Sequence, residues 1–307
     1  MTGHTGTADE RVAAFDLGSN TARGLLAHPR EDGAAEVLMG AQCMTALGRG
    51  LSQTGRLDPD GLASTVSFVS RVLAEWQRPA RVFAVATAAA RDAANGEELL
   101  ARLHEGTGVR AEIIGGDEEG RLSFRGALAM APLLAERSPA VIDVGGRSTE
   151  LVVEQGEGLQ ATSVPVGARS LTELCLRSDP PTSTEMAQMR RVAHGALGSA
   201  LAVLTDQPVV AVGGSAQAVM LLARGARAVR LRDLTRLARR LCSVPLAQRR
   251  ALMPFDPERA EVICGGLALL EVIAAHAPGT LLHISEGGVR EGLLLERTGA
   301  TRLVARG

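Results

Sequence analysis

The 307-residue sequence contains no lysine, so all 33 of its Lys+Arg positions are arginine. That excludes a Walker-A loop, which ends in Lys-Ser/Thr, and Schiff-base or pyridoxal chemistry, which needs a lysine amine. What remains is guanidinium, a planar fork suited to bidentate grip on phosphate; the plainer reading of most of the arginines is a codon bias that replaced lysine. A charge excess is also missing. The formal net charge is −1, so no basic field points to nucleic acid or an anionic membrane. Cysteine is sparse, and Cys43, Cys175, Cys242 and Cys264 stand too far apart for CxxC pairs; they read as small buried hydrophobes in a reducing compartment. No long apolar run occurs either. Glu271, His276 and Pro278 interrupt the stretch 265–282, and residues 1–12 carry no signal-peptide core. A cytoplasmic protein without a membrane span is expected.

What is present is a globular balance, 46% hydrophobic and 22% charged, at a length for one large or two ordinary domains. Apolar runs at 12–15 and 24–28 flank a polar turn, which predicts a β-hairpin. Helical spacing covers 64–76, a strand 82–86, a helix 95–104, a strand 111–114 and a helix 118–130. Strands alternating with helices mean an α/β fold. A second hairpin follows, with strands at 141–143 and 149–154, and it repeats the first. Asp16 matches Asp143, Gly18 matches Gly145, and Thr21 matches Ser148, all at an offset of 127 residues. Beyond it come helices at 186–204, 216–223, 231–240, 259–275 and 289–296, with strands at 209–212 and 281–284. The repeat divides the chain into residues 1–125, with 1–10 as a flexible tail, and residues 126–307, with the last helix packing back on the first domain.

The turns carry the chemistry. Gly18-Ser19-Asn20, Gly145-Gly146-Arg147-Ser148 and Gly213-Gly214-Ser215 can each turn successive N–H groups toward an anion, and the third opens a helix. Asp16 and Asp143 end apolar strands, where a carboxylate is costly unless it meets donors or a metal such as Mg²⁺. Glu150, on the returning strand, is either a solvated strand residue or a third acid at the same mouth.

Phe15-Asp16-Leu17-Gly18-Ser19-Asn20-Thr21, Gly115-Gly116-Asp117-Glu118-Glu119-Gly120-Arg121-Leu122 and Ile142-Asp143-Val144-Gly145-Gly146-Arg147-Ser148-Thr149-Glu150-Leu151 together resemble the exopolyphosphatase / guanosine pentaphosphate phosphohydrolase (Ppx/GppA) family. Further matches run through 87–95, 164–169, 214–218 and 289–294. The resemblance implies two actin-like domains of the ribonuclease H-like superfamily of sugar kinases, actin and heat-shock chaperones, with an interdomain cleft. It implies Glu119 as the general base, Arg91 as a catalytic phosphate contact, and Asp143, Glu150 and Asp16 at Mg²⁺ or Mn²⁺. Ser19, Asn20, Thr21, Arg23, Gly145, Gly146, Ser148, Gly214 and Ser215 would hold phosphate. Arg147 stands where the family usually has Gly, and either clamps phosphate or points to solvent. Longer members add a helical region related to HD phosphohydrolases; here the last motif ends at Leu294 and no His-Asp dipeptide occurs, the pattern of a short two-domain form. The implied activity is release of orthophosphate from inorganic polyphosphate, with guanosine pentaphosphate or another nucleoside polyphosphate as the alternative substrate. A kinase or a non-catalytic polyphosphate sensor is a more distant reading, and a homodimer is open.

Overall fold

The computed structural model describes residues 10–156 and 158–306; the tail expected over 1–10 lies, except for Glu10, outside them. The first sheet begins with an antiparallel meander of β1 (Val12–Leu17), β2 (Thr21–Pro29) and β3 (Ala34–Met44). Beside β1, β4 (Arg81–Ala86) and then β5 (Ala111–Ile113) run parallel. Every residue of β1 is buried, the pattern of a strand covered on both faces. The second sheet repeats this plan with β6 (Ala140–Val144), β7 (Thr149–Gln155) and β8 (Gly158–Val164) as the meander. Its parallel strands are β9 (Val209–Val212) and β11 (Leu281–Ile284), with β10 (Ala228–Arg230) antiparallel at the edge. A last strand, β12 (Arg302–Ala305), returns to the first sheet beside β3. The orders are β12-β3-β2-β1-β4-β5 and β10-β11-β9-β6-β7-β8.

The sequence repeat has a physical counterpart. Gly18 N–H donates to the Thr21 carbonyl at 3.2 Å, and 127 residues later Gly145 N–H donates to that of Ser148 at 3.0 Å. A Cβ on either glycine would stand 3.0 or 2.9 Å from that same carbonyl oxygen, so each turn closes where a side chain has no room. The expected two α/β halves with duplicated hairpins are present, and each hairpin gains a third strand.

Helix boundaries follow caps more than apolar spacing. The expected helix 64–76 starts at Pro59, because the Asp58 carboxylate accepts from Gly61 N–H at 2.8 Å and Pro59 suits the first turn. That at 186–204 starts at Ser183, behind a Thr182–Glu185 capping box. The expected helix 259–275 is two elements, a 3-10 turn Pro257–Glu261 and a helix Ile263–His276.

Each sheet has its own core: Phe15 stacks on Trp76 at 5.7 Å in the first, while Ile142, Met189 and Leu267 lie in the larger second one. Two helices exchange partners between them. Helix Gly116–Ala129 packs on β6, β7 and β8, whereas helix Val289–Thr298 packs on β1, β2 and β4. They cross in backbone contact, with Gly126 against Gly287 and Gly288, and Gly292 against Leu122. Residue 125 falls inside the first of them. Among the described residues no helix is long and apolar enough to cross a membrane.

Candidate active site

The three Gly-rich turns meet where the C-terminal ends of β1, β6 and β9 face each other, and with Asp16, Thr87, Glu119, Asp143 and Arg259 they line a cavity of about 60 Å³. That is room for a few water-sized groups. Gly213 turns the chain at φ +92°; a Cβ there would stand 2.6 Å from the Val144 carbonyl oxygen and 2.8 Å from Asp143 Oδ1. The turn opens the helix Gly214–Leu222, whose first N–H groups and dipole favour an anion.

Four acids converge here. Asp16, Glu119 and Glu150 are buried, the last only 1% exposed, and Asp143 is half-buried. Burial pushes the Asp16 carboxyl up to about 6, opposed by Arg23 on the paired strand. It raises Asp143 as well, against the Ser123 hydroxyl that donates to Oδ2 at 2.5 Å. Burial raises Glu150 to about 7, with Asp143 adding to the shift. Glu119 is held well above the usual carboxylate range by burial and then by Glu150, Asp143 and Asp16, while Arg91 opposes, with Nη1 3.3 Å from Oε2. The same Nη1 donates to the Ile114 carbonyl at 2.9 Å, which fixes the guanidinium against the start of the Glu119 helix.

Of the residues named from sequence, Asp16, Ser19, Asn20, Thr21, Arg23, Glu119, Asp143, Gly145, Gly146, Ser148, Gly214 and Ser215 line the cavity. Arg91 stands behind Glu119 and is outside the lining. Glu150 lies outside it too, and accepts from the Ser163 hydroxyl at 2.8 Å. Arg147 lies outside the lining and does not point to solvent. Its side chain is only 13% exposed, and the guanidinium reaches the first lobe, with Nη1 3.1 Å from Ser52 Oγ and Nε 3.7 Å from Asp92. The turn keeps φ negative at 147, so a side chain fits where glycine is usual.

Two arginines join the site without having been singled out. Arg259, 5% exposed, donates from Nη2 to Thr21 Oγ1 at 3.0 Å and from Nε to Asp256 at 2.8 Å. Arg169, 4% exposed, donates from Nε to Asn20 Oδ1 at 2.7 Å. Both come from the second half of the chain and grip the first-half turn. Their sequence signal was slight, one arginine among 33 near the start of an apolar helix and another ending the 164–169 match.

Buried polar atoms without hydrogen-bond partners gather here: Arg23 Nε and Ser215 Oγ at the cavity, and Glu150 Oε2 behind it. Such atoms are rare in folded proteins and point to a polar ligand. Among the described residues no three His, Cys, Asp or Glu side chains are arranged to hold a metal by themselves. Mg²⁺ takes one or two carboxylates with waters and substrate phosphates, so the acids fit it, through oxygen donors and the unpaired Glu150 Oε2.

The acids give a first prediction. Their folded-state pKa values stand above the ordinary 3.8 and 4.5, so the folded chain holds protons that the unfolded chain releases. The resulting stability is fully present below about pH 4 and is lost as pH rises through about 6 to 7. Without divalent ions the melting temperature should fall by about 5 °C between about pH 5 and 7.5, and Glu150→Gln should flatten that fall. Calorimetry across this window checks it; a Glu150→Gln profile as steep as wild type refutes it.

Duplicated sheets facing each other across an anion-lined cavity define a two-lobed α/β phosphatase. The chain belongs to the Ppx/GppA phosphatase family, whose model matches residues 29–300, and it is a phosphoanhydride hydrolase. It is 35% identical to exopolyphosphatase 2 of Mycobacterium tuberculosis over 94% of this chain and 99% of that one. It is 28% identical to a guanosine-5'-triphosphate,3'-diphosphate pyrophosphatase of Vibrio cholerae, over 92% of this chain and 58% of that protein. The crystal structure of the Aquifex aeolicus family member superposes with a TM-score of 0.72 at 27% identity, over 94% of this chain and 97% of that one. An exopolyphosphatase from Cytophaga hutchinsonii, at 20% identity, shares the fold with a TM-score of 0.84 over 95% of this chain and 99% of that one.

Proposed function

We propose that this enzyme removes terminal orthophosphate from inorganic polyphosphate. The observation that carries the reading is the cavity: three glycine turns, Arg23, Arg259 and a raised carboxyl line about 60 Å³, a size that suits a terminal phosphoryl group and its attacking water. Likeness to a relative named exopolyphosphatase over 99% of its length supports the same substrate.

Hydrolysis of a phosphoanhydride needs placement, charge neutralisation and an oriented water more than covalent catalysis. The turn amides of 18–20, 145–148 and 213–215 would hold the phosphoryl oxygens, with Arg23 and Arg259 on their charge. Glu119, poised by Arg91, would orient and deprotonate the water for in-line attack. Asp143 and Glu150, with Asp16, would hold Mg²⁺ or Mn²⁺. When bound, such an ion neutralises charge on the phosphoryl oxygens. The two lobes would close on the substrate about the two crossing helices.

Because the base works deprotonated and its pKa is raised, kcat should go on climbing with pH above the range where an ordinary carboxylate is already ionised. The deciding experiment is phosphate release from short and long polyphosphates, guanosine pentaphosphate and ATP, with Mg²⁺ and after chelation. Turnover of polyphosphate with chelator-sensitive rates supports the reading. Turnover of the nucleotides alone overturns the substrate and leaves the site.

A further inference from the structure

Two cysteines distant in sequence meet in the second lobe. Cys242 ends the helix Leu231–Cys242, Cys264 lies in the first turn of the helix Ile263–His276, and their Sγ atoms are 2.8 Å apart with nothing between them. Both are free thiols, 6% and 0% exposed. Two further observations separate them from ordinary buried cysteines. Cys242 forms part of the wall of a cavity of about 640 Å³ that is separate from the phosphate site. Arg249 is buried beside the pair, with Nε, Nη1 and Nη2 each donating at 3.1 Å to the carbonyls of Leu241, Ala260 and Val244. Its guanidinium also donates to Asp179 Oδ1 at 3.1 Å. The contact with Cys264 and burial push the Cys242 thiol well up, whereas Cys264, which accepts from Cys242, is lowered and is the sulfur on which a thiolate is favoured.

We propose that Cys242 and Cys264 are a peroxide-sensitive thiol pair whose disulfide slows phosphate release. The Cys264 thiolate attacks one oxygen of hydrogen peroxide, the O–O bond breaks, and the products are a sulfenic acid and water once the departing hydroxide takes up a proton. Cys242 sulfur then attacks the Cys264 sulfur and displaces the hydroxyl, which leaves as a second water with the Cys242 proton. Two thiols are oxidised by two electrons, and one peroxide is reduced to two waters.

The coupling to catalysis runs along the 257–276 segment. Arg259 and Val262, just before Cys264, line the phosphate cavity. Gly265 and Gly266, just after it, lie so close to the Ala168 carbonyl and Ser215 Oγ that a Cβ on them would stand 2.3 and 2.1 Å from those oxygens. Drawing Cys264 toward Cys242 therefore displaces the helix end that seats Ser215 and Arg259.

The test treats the whole protein with hydrogen peroxide, alkylates remaining thiols with N-ethylmaleimide, and maps tryptic peptides before and after dithiothreitol. The expected product links residues 241–249 to 260–290 while Cys43 and Cys175 stay alkylated, and the rate of phosphate release falls by about fivefold or more, restored by dithiothreitol. In Cys242→Ser the rate should resist peroxide. Four alkylated thiols after treatment, a link through Cys43 or Cys175, or sulfinic acid at Cys242 or Cys264 would each overturn the pair. A 242–264 link with unchanged rate, or an equal fall in Cys242→Ser, would overturn its effect on catalysis. The wild-type map needs no variant, so a Cys242→Ser chain that fails to fold leaves the pair testable.

Discussion

Glu119→Gln should lower kcat by about 10²–10⁴-fold while the substrate still binds with nearly wild-type affinity. Glutamine keeps the volume and can still accept from Arg91 Nη1, which stands 3.3 Å from the carboxylate in the wild type, so the packing of the 116–129 helix is preserved. What disappears is the proton acceptor. Removing this charge also relieves the other acids, since Glu150, Asp143 and Asp16 are among the groups that hold Glu119 up. A polyanion therefore meets a less negative cavity, and its KM should hold steady or fall. Steady-state rates give kcat and KM separately, and calorimetric titration of the inactive variant gives affinity. A kcat within tenfold of wild type would remove Glu119 from the base role. So would a loss carried entirely by KM, which would make it a binding residue.

The parts of this site legible in the sequence were those written as local patterns. Gly18 and Gly145 are required because each turn folds its own backbone to within 3.0 Å of the missing Cβ, so the duplication survives as letters. Asp16 and Asp143 stood out because an acid at the end of an apolar strand is costly without partners. Arg259 and Arg169 gave no such signal, because their partners Thr21 and Asn20 lie 238 and 149 residues away. The pairing of Cys242 with Cys264 was hidden for the same reason, since it depends on two helices lying side by side. The contacts of Arg147 were hidden likewise, because Ser52 and Asp92 lie far from it along the chain, in the first half. Among the strands, β3 escaped notice because its second half is largely exposed, so neither a buried run nor clean alternation marks it. The strand β12 pairs with β3 across nearly the whole chain, a contact that no local pattern encodes.

Gly292→Ala and Gly195→Ala are the same chemical change in two helices, and they should move stability in opposite directions. Gly195 lies in the helix Ser183–Leu201 with nothing within 4 Å of an added Cβ. Alanine there removes backbone entropy from the unfolded chain and should stabilise by about 0.5–1 kcal/mol. At Gly292 the new Cβ would stand 1.9 Å from the Leu122 carbonyl oxygen and 2.6 Å from its carbon. Both are main-chain atoms inside the partner helix, so no rotamer change relieves them, and the helices 116–129 and 289–298 must separate. The cost should be about 3 kcal/mol or more, at the upper end for overpacking, or a melting temperature lowered by about 5 °C or more. Activity should fall further than stability alone explains. The first helix carries Glu119 and packs on the second sheet, the other packs on the first, and a change in their separation moves the turn 18–20 relative to the turn 145–148 across the cleft. Calorimetry of both variants with rates measured well below their transitions separates the two effects. A Gly292→Ala protein as stable and as active as wild type would mean that this crossing does not set the geometry of the cleft.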